Sequence, residues 1–182
     1  TLFLIAYFFY IDGVGTIIKM ATSVGTDIGL SADQLIVMLL IVQIVAFPCT
    51  IIYGVLAKKL GTRNMLFFGI ATYMVICIIA LGLETYNDFL FLAILVGTAQ
   101  GGIQSLSRSY FGQMIPSQNT NQFFGFYNIF GKFSSVLGTT ALGVVAQLTD
   151  DSLKGVFALI VQFIIGAILL FFAQPPKTHE AV

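Results

Sequence analysis

The chain has 182 residues, of which 58% are hydrophobic and only 9% are charged, and its formal net charge is zero. The mean hydropathy of +0.98 lies outside the usual range for soluble domains, because a fold of this length cannot bury so much apolar surface. These values argue against a soluble domain, and the lack of a basic cluster argues against nucleic-acid binding.

Six apolar runs follow one another along the chain, and each is long enough to cross a hydrocarbon core, which needs about 20 helical residues. Because lipid offers no water to the backbone amides, such spans must be helices. We predict an all-α membrane protein, a six-transmembrane-helix bundle over residues 1–174 followed by a cytoplasmic tail at 175–182. The predicted spans are 2–23, 34–57, 65–83, 89–111, 123–147 and 156–173.

Polar residues inside the first two spans are the first functional candidates, because an ionisable group near the bilayer centre normally faces an interior or a wet cavity. Asp12 and Lys19 lie seven residues apart in the first span, hence on nearly one helix face and about 10 Å apart along the axis. The second span carries Gln43 near mid-depth and Pro48, whose missing N–H group can kink the helix.

The fourth and fifth spans carry most of the other strongly polar groups. Gln100, Gln104 and Arg108 follow at four-residue steps in the fourth, beside the small residues Gly97, Gly101, Ser105 and Ser109, so that one helix side can pack tightly against a neighbour. The third and sixth spans hold few polar groups and are expected to face lipid, which gives a three-plus-three rhythm typical of an inverted-repeat transporter. The predicted substrate or ion pathway comprises Asp12, Lys19, Gln43, Gln100, Gln104, Asn128 and Lys132.

Basic residues predict the orientation, because short loops rich in Lys and Arg stay in the cytoplasm. The opposite loops are acidic and hold only Lys154 among basic residues, so both chain ends are predicted to be cytoplasmic. The basic residues of the cytoplasmic side are Lys58, Lys59, Arg63, Arg108 and Lys177.

Structural interpretations stand beside the functional ones. Asp12 could be neutralised by Lys132 or Lys19 in an ion pair, and the glutamines of the fourth span could instead bond neighbouring helices. Arg108 could simply anchor its helix end, and the two cysteines are expected to pack as small hydrophobes. The sequence contains no nucleophile paired with a base, no phosphate-binding glycine-rich loop and no His or Cys cluster, so we predict neither an enzyme nor a metal or cofactor site.

Four segments resemble a known family. Residues 54–63, GVLAKKLGTR, are similar to the cytoplasmic loop motif G-x-L-A-D-R-x-G-R-R/K of the major facilitator superfamily, although Lys58 stands where that motif has an acidic residue. Residues 10–16, 96–109 and 123–132 resemble the carboxy-terminal half of the vacuole-effluxer-like, or autophagy-related permease, branch. The residues that carry the loop motif are Gly54, Lys58, Lys59, Gly61 and Arg63.

The resemblance implies helices seven to twelve of a twelve-helix secondary transporter, with the first and fourth spans lining a central cavity and the second and fifth flanking a missing amino-terminal six-helix half. It implies alternating access for a small solute, amino acids in the fungal namesakes, with a coupling proton or cation and no cofactor. We expect an integral, multi-pass protein in the lipid bilayer of the cell (inner) membrane rather than the vacuolar membrane. The alternative is a non-transporting structural or sensor subunit.

Overall fold

The computed structural model describes residues 2–116, 120–149 and 155–173, and within these ranges the chain is helical with no β-strand. This confirms the predicted all-α bundle. The tail at 175–182 and the basic residues Lys154 and Lys177 lie outside the described residues. The helices are α1 (Leu2–Asp27), α2 (Ala32–Leu60), α3 (Thr62–Ala80), α4 (Tyr86–Met114), α5 (Thr120–Thr149) and α6 (Gly155–Phe172).

Most helices extend beyond the apolar runs that predict them. Among the described residues, α1 to α4 are long and apolar enough to cross a membrane, and α6 contributes a shorter apolar stretch at Val156–Phe172. Two of these extensions begin with side-chain caps: Ser31 and Gln34 form a capping box at the start of α2, and Thr85 and Asp88 form one at the start of α4. Hydrophobic patterns mark the lipid-facing length of a helix, whereas caps mark its ends.

The predicted spans leave residues 58–64 to connect the second span to the third, but in the structure this connection is a single residue. Gly61 lies between α2 and α3 with φ +88°, a conformation that favours glycine. Lys58 and Lys59 belong to the last turn of α2, where cations complement the helix dipole. Arg63 belongs to the first turn of α3, which brings it against neighbouring helices.

The helices pack as two similar triplets. α1 packs against α5 and α6, α4 packs against α2 and α3, and α3 meets α6. The contacts of α1 with α5 and α6 thus correspond to those of α4 with α2 and α3, so each helix of the first triplet has a counterpart three helices later. Because consecutive spans with short connections alternate in direction, α4 runs opposite to α1, and the triplets have the relation of an inverted repeat.

The contact between α2 and α4 depends on glycine. A β-carbon at Gly97 would lie 2.9 Å from the carbonyl oxygen of Val42, and one at Gly101 would lie 2.8 Å from that of Ala46. The small-residue row of α4 therefore lets the two backbones approach closely, as predicted from the sequence. The outer face of α2 is apolar and open, with Phe47 74% exposed.

Candidate functional site

Asp12 lies in a closed junction between α1, α5 and α6. Its side chain is 0% exposed, although it stands in the middle of an otherwise apolar span. Gln162 of α6 donates a hydrogen bond from Nε2 to Asp12 Oδ2. On the α5 side, a β-carbon at Gly138 would lie 2.7 Å from both carboxylate oxygens, so only glycine allows α5 to pack this closely.

Two oxygens in this junction have no hydrogen-bond partner. They are Asp12 Oδ1 and, one helical turn further along α1, Thr16 Oγ1, and both are buried. A β-carbon at Gly138 would contact Thr16 Oγ1 as well as the carboxylate, which places the two oxygens against the same small patch of α5. The junction is thus a buried polar site with unused hydrogen-bonding capacity, which is rare in a protein interior.

Neither of the ion pairs considered from the sequence forms. Within the described residues, no basic nitrogen lies within 4.0 Å of an Asp12 carboxylate oxygen. Lys19 is exposed and donates from Nζ to the carbonyl oxygen of Ser135 on α5 at 3.4 Å. Lys132 is also exposed. On this face of α1, α5 and α6 therefore cover Asp12 but leave Lys19 exposed.

Gln162 is the site residue that sequence reasoning missed. We expected α6 to face lipid and gave its glutamine no role, but the structure places this side chain on the carboxylate of Asp12. A signal was available, because Gln162 is the only polar side chain in Gly155–Phe172. A polar group in so apolar a span normally faces a partner inside the bundle.

The other predicted pathway residues lie apart from Asp12. Gln104 on α4 and Asn128 and Lys132 on α5 are exposed, as is Gln43 on α2. Gln100 is 9% exposed, and its Oε1 has no hydrogen-bond partner. In the described part of the chain, no hydrogen bond or ion pair joins two of the predicted pathway residues to each other. The predicted set therefore contains two buried polar groups, the carboxyl group of Asp12 and the amide of Gln100, and several polar side chains on open helix faces.

A layer of aromatic and hydroxyl groups closes the junction toward the N-terminal end of α1. Tyr10 and Ser107 are joined by a buried 2.7 Å hydrogen bond between α1 and α4. Tyr127 of α5 stacks on Tyr7 at a ring distance of 4.2 Å and on Phe111 at 5.1 Å. This layer separates Asp12 from the end of the bundle predicted to be cytoplasmic.

Arg63 is the loop-motif residue with tertiary contacts. Its guanidinium group donates to the carbonyl oxygens of Leu170, at 3.3 Å, and Phe171, in the last turn of α6. It also lies 5.9 Å from the ring centroid of Phe67 and 5.7 Å from that of Phe171. Because the last carbonyls of a helix lack intrahelical partners, Arg63 caps α6 and ties it to α3. Gly54, Lys58 and Lys59 stay at the surface or partly covered.

Two apolar cavities lie between the helices, and no residue of the predicted pathway lines either. One of about 40 Å³ lies between α1, α2 and α4 and includes Ile17, Met38 and Val96 in its lining. A wider cleft of about 420 Å³, lined by aromatic residues such as Phe111 and Phe126, opens between the ends of α1, α4 and α5. No group of three or more potential metal ligands occurs among the described residues.

Comparisons with known proteins give one consistent result. The family described as "Vacuole effluxer Atg22 like" matches residues 1–181. The "Uncharacterized MFS-type transporter YxiO" of Bacillus subtilis is 54% identical over 181 residues, which are 100% of this chain and 42% of that protein. "Autophagy-related protein 22-1" of Aspergillus fumigatus is 33% identical over 95 residues, 52% of this chain and 14% of that protein. The chain thus spans less than half the length of these curated relatives.

Proposed function

Because this chain belongs to the Vacuole effluxer Atg22 like family, we propose that it acts as the carboxy-terminal six-helix half of a secondary active transporter that moves a small solute by alternating access. It is an integral, multi-pass membrane protein, and its relatives include an MFS-type transporter rather than an enzyme. A preceding amino-terminal six-helix half would be the partner around which this bundle rocks. The proposal is supported by the chain covering 42% of its bacterial relative.

The exposed polar side chains of α1, α4 and α5 are the observation that carries the proposal. Lys19, Gln104 and Lys132 are exposed, whereas the outer face of α2 around Phe47 is mainly apolar. A lysine facing hydrocarbon at mid-depth costs about 2.5–3.5 kcal/mol on insertion scales, so these groups need water or another protein surface beside them. A water-filled cavity between this bundle and a second half would provide both.

The chemistry of these groups favours a solute that carries a carboxylate. The ammonium group of Lys132 and the side-chain amides of Gln104 and Asn128 are hydrogen-bond donors, and charge-assisted bonds to carboxylates are the strong ones. We propose amino acids as the substrate class, because each carries the carboxylate that these donors would bind. The cell (inner) membrane is the proposed location, because the relative matched along the whole chain is bacterial.

Transport by the full-length protein in proteoliposomes tests this function. Labelled amino acids and an imposed proton gradient should give accumulation, and Lys132→Met or Gln104→Ala should reduce it at least about tenfold if each loses a charge-assisted or polar substrate contact. Gln113→Ala is the matched control, since Gln113 is exposed near the end of α4 and belongs to no proposed site. Amino-acid binding without transport would favour the sensor alternative. Equal loss in the Gln113 control would remove the proposed role of the exposed polar side chains.

A further inference from the structure

We propose that the junction of α1, α5 and α6 is an occluded proton-binding site, in which Asp12 carries the proton and Thr16 and Gln162 position its carboxyl group. This inference rests on the proposed transport function and assigns the ion site and the substrate face to different places in the bundle. The exposed side chains of Gln104, Asn128 and Lys132 would contact the solute, whereas Asp12 would hold the coupling proton.

The junction offers a hydrogen-bond partner to each of the two oxygens of a protonated Asp12 carboxyl group. Gln162 Nε2 donates to Oδ2, so that oxygen acts as an acceptor. The remaining oxygen, Oδ1, and the hydroxyl of Thr16 are both buried without a partner and face the same patch at Gly138. A proton on Oδ1 can be donated to Thr16 Oγ1, which satisfies both atoms at once.

Among the described residues, no basic nitrogen lies within the 4.0 Å of an ion pair with the Asp12 carboxylate, although Lys19 attracts it from further along α1. α6 has no ionisable side chain in Gly155–Phe172, and Lys132, the cation of α5, is exposed. Lys19 of α1 is bound to Ser135, and Arg108 of α4 lies over the ring of Phe124 at 5.1 Å. The charged residues of α2 and α3 lie in their terminal turns, at Asp33, Lys58, Lys59 and Arg63.

A metal cation is a poorer occupant of this junction. Cations such as Ca²⁺ take six to eight oxygen ligands, and even Mg²⁺ requires near-octahedral geometry. The junction offers one carboxyl group and one hydroxyl as free oxygen ligands, and Gln162 presents its nitrogen. The close approach of Gly138 leaves no room for more ligands on the α5 side.

Occlusion also explains how proton release could require helix movement. The aromatic layer of Tyr7, Tyr10 and Tyr127 closes one side, and Gly138 and Gln162 close the others. A charged Asp12 would be buried here without an ion-pair partner, so losing the proton requires α1 to part from α5 or α6 and admit water. The rocking of the two halves would supply that movement.

Carbodiimide labelling of the full-length protein tests the inference without a known substrate. Dicyclohexylcarbodiimide reacts with protonated carboxyl groups in apolar surroundings: the acid proton moves to a carbodiimide nitrogen, the carboxyl oxygen adds to its carbon, and the adduct rearranges to a stable acylurea. Mass spectrometry near neutral pH should find the label on the peptide with Asp12 and not on those with the exposed Asp27 and Asp33. Asp12→Asn, which mimics the neutral acid, should fold normally and lose the label.

Two results would overturn the proton assignment. The first is an unlabelled Asp12 peptide in folded protein under conditions that label a known membrane-buried carboxyl group. The second is protection of Asp12 by sodium chloride but not by choline chloride at equal ionic strength, which would identify a metal cation as the occupant. Labelled Asp12 in a protein that moves no solute would support the proton site and overturn the proposed transport function. Transport by a protein whose Asp12 stays unlabelled would support the transport function and overturn the proton site.

Discussion

The glycine contact between α2 and α4 gives a quantitative test of the packing that positions the polar face. Replacing Gly101 by alanine would place a β-carbon 2.8 Å from the carbonyl oxygen of Ala46 and even closer to Thr50 Oγ1. The threonine hydroxyl donates to the same carbonyl at 2.7 Å, so it cannot rotate away without losing that bond. The carbonyl itself belongs to the helix backbone and cannot yield independently.

Two opposing effects decide the magnitude. Alanine improves helix propensity over glycine by about 0.8–1 kcal/mol. Overpacking a tight contact costs about 1–3 kcal/mol, and the upper half of that range applies where backbone atoms must move. We therefore expect Gly101→Ala to lower the free energy of unfolding by about 1–2 kcal/mol.

Gly54→Ala is the matched control. Gly54 lies in the partner helix α2, and a β-carbon there would have nothing within 4 Å. This change should leave the free energy of unfolding unaltered or raise it by up to about 1 kcal/mol. The measurement is the unfolding midpoint of the detergent-purified full-length protein in a denaturing-detergent titration followed by far-UV circular dichroism.

Adding Thr50→Ala to the Gly101→Ala variant should restore part of the lost stability, because it removes the nearer clash but leaves the Ala46 carbonyl. The packing argument fails if Gly101→Ala and Gly54→Ala shift the midpoint equally. It also fails if the threonine change gives the Gly101 variant no more benefit than it gives the wild type.

Three further predictions follow from other contacts. Arg63→Ala should lower the free energy of unfolding by about 1.5–3 kcal/mol, because it removes charge-assisted bonds to the α6 carbonyls, and Arg63→Lys should be intermediate. Equal stability of these two variants and the wild type would contradict this. Gly61→Ala should cost about 1–2 kcal/mol because of its φ of +88°, again by the unfolding midpoint. A cysteine at Thr62, in a protein lacking Cys49 and Cys77, should resist an impermeant thiol reagent applied outside intact cells, because the basic residues beside it predict a cytoplasmic position.

Helix number and approximate position follow from the sequence because apolar length is a direct requirement of the bilayer. The all-α bundle was predicted from six apolar runs, and the tight side of α4 from the spacing of Gly97 and Gly101. Both are local properties: one depends on the composition of a single span and the other on the periodicity of one helix. The family resemblance was likewise carried by short contiguous segments and is confirmed over residues 1–181.

Only the tertiary structure decided which polar groups meet. Helical periodicity places Asp12 and Lys19 on one face of α1, but whether that face is open depends on where α5 and α6 cross it. Gln162 reaches Asp12 from 150 residues along the chain, and Gly138 admits both helices to the same point. Such pairings arise where helices from distant segments cross, and no pattern within one span encodes them. For this reason Asp12, which was expected to line a cavity, is buried in a closed junction.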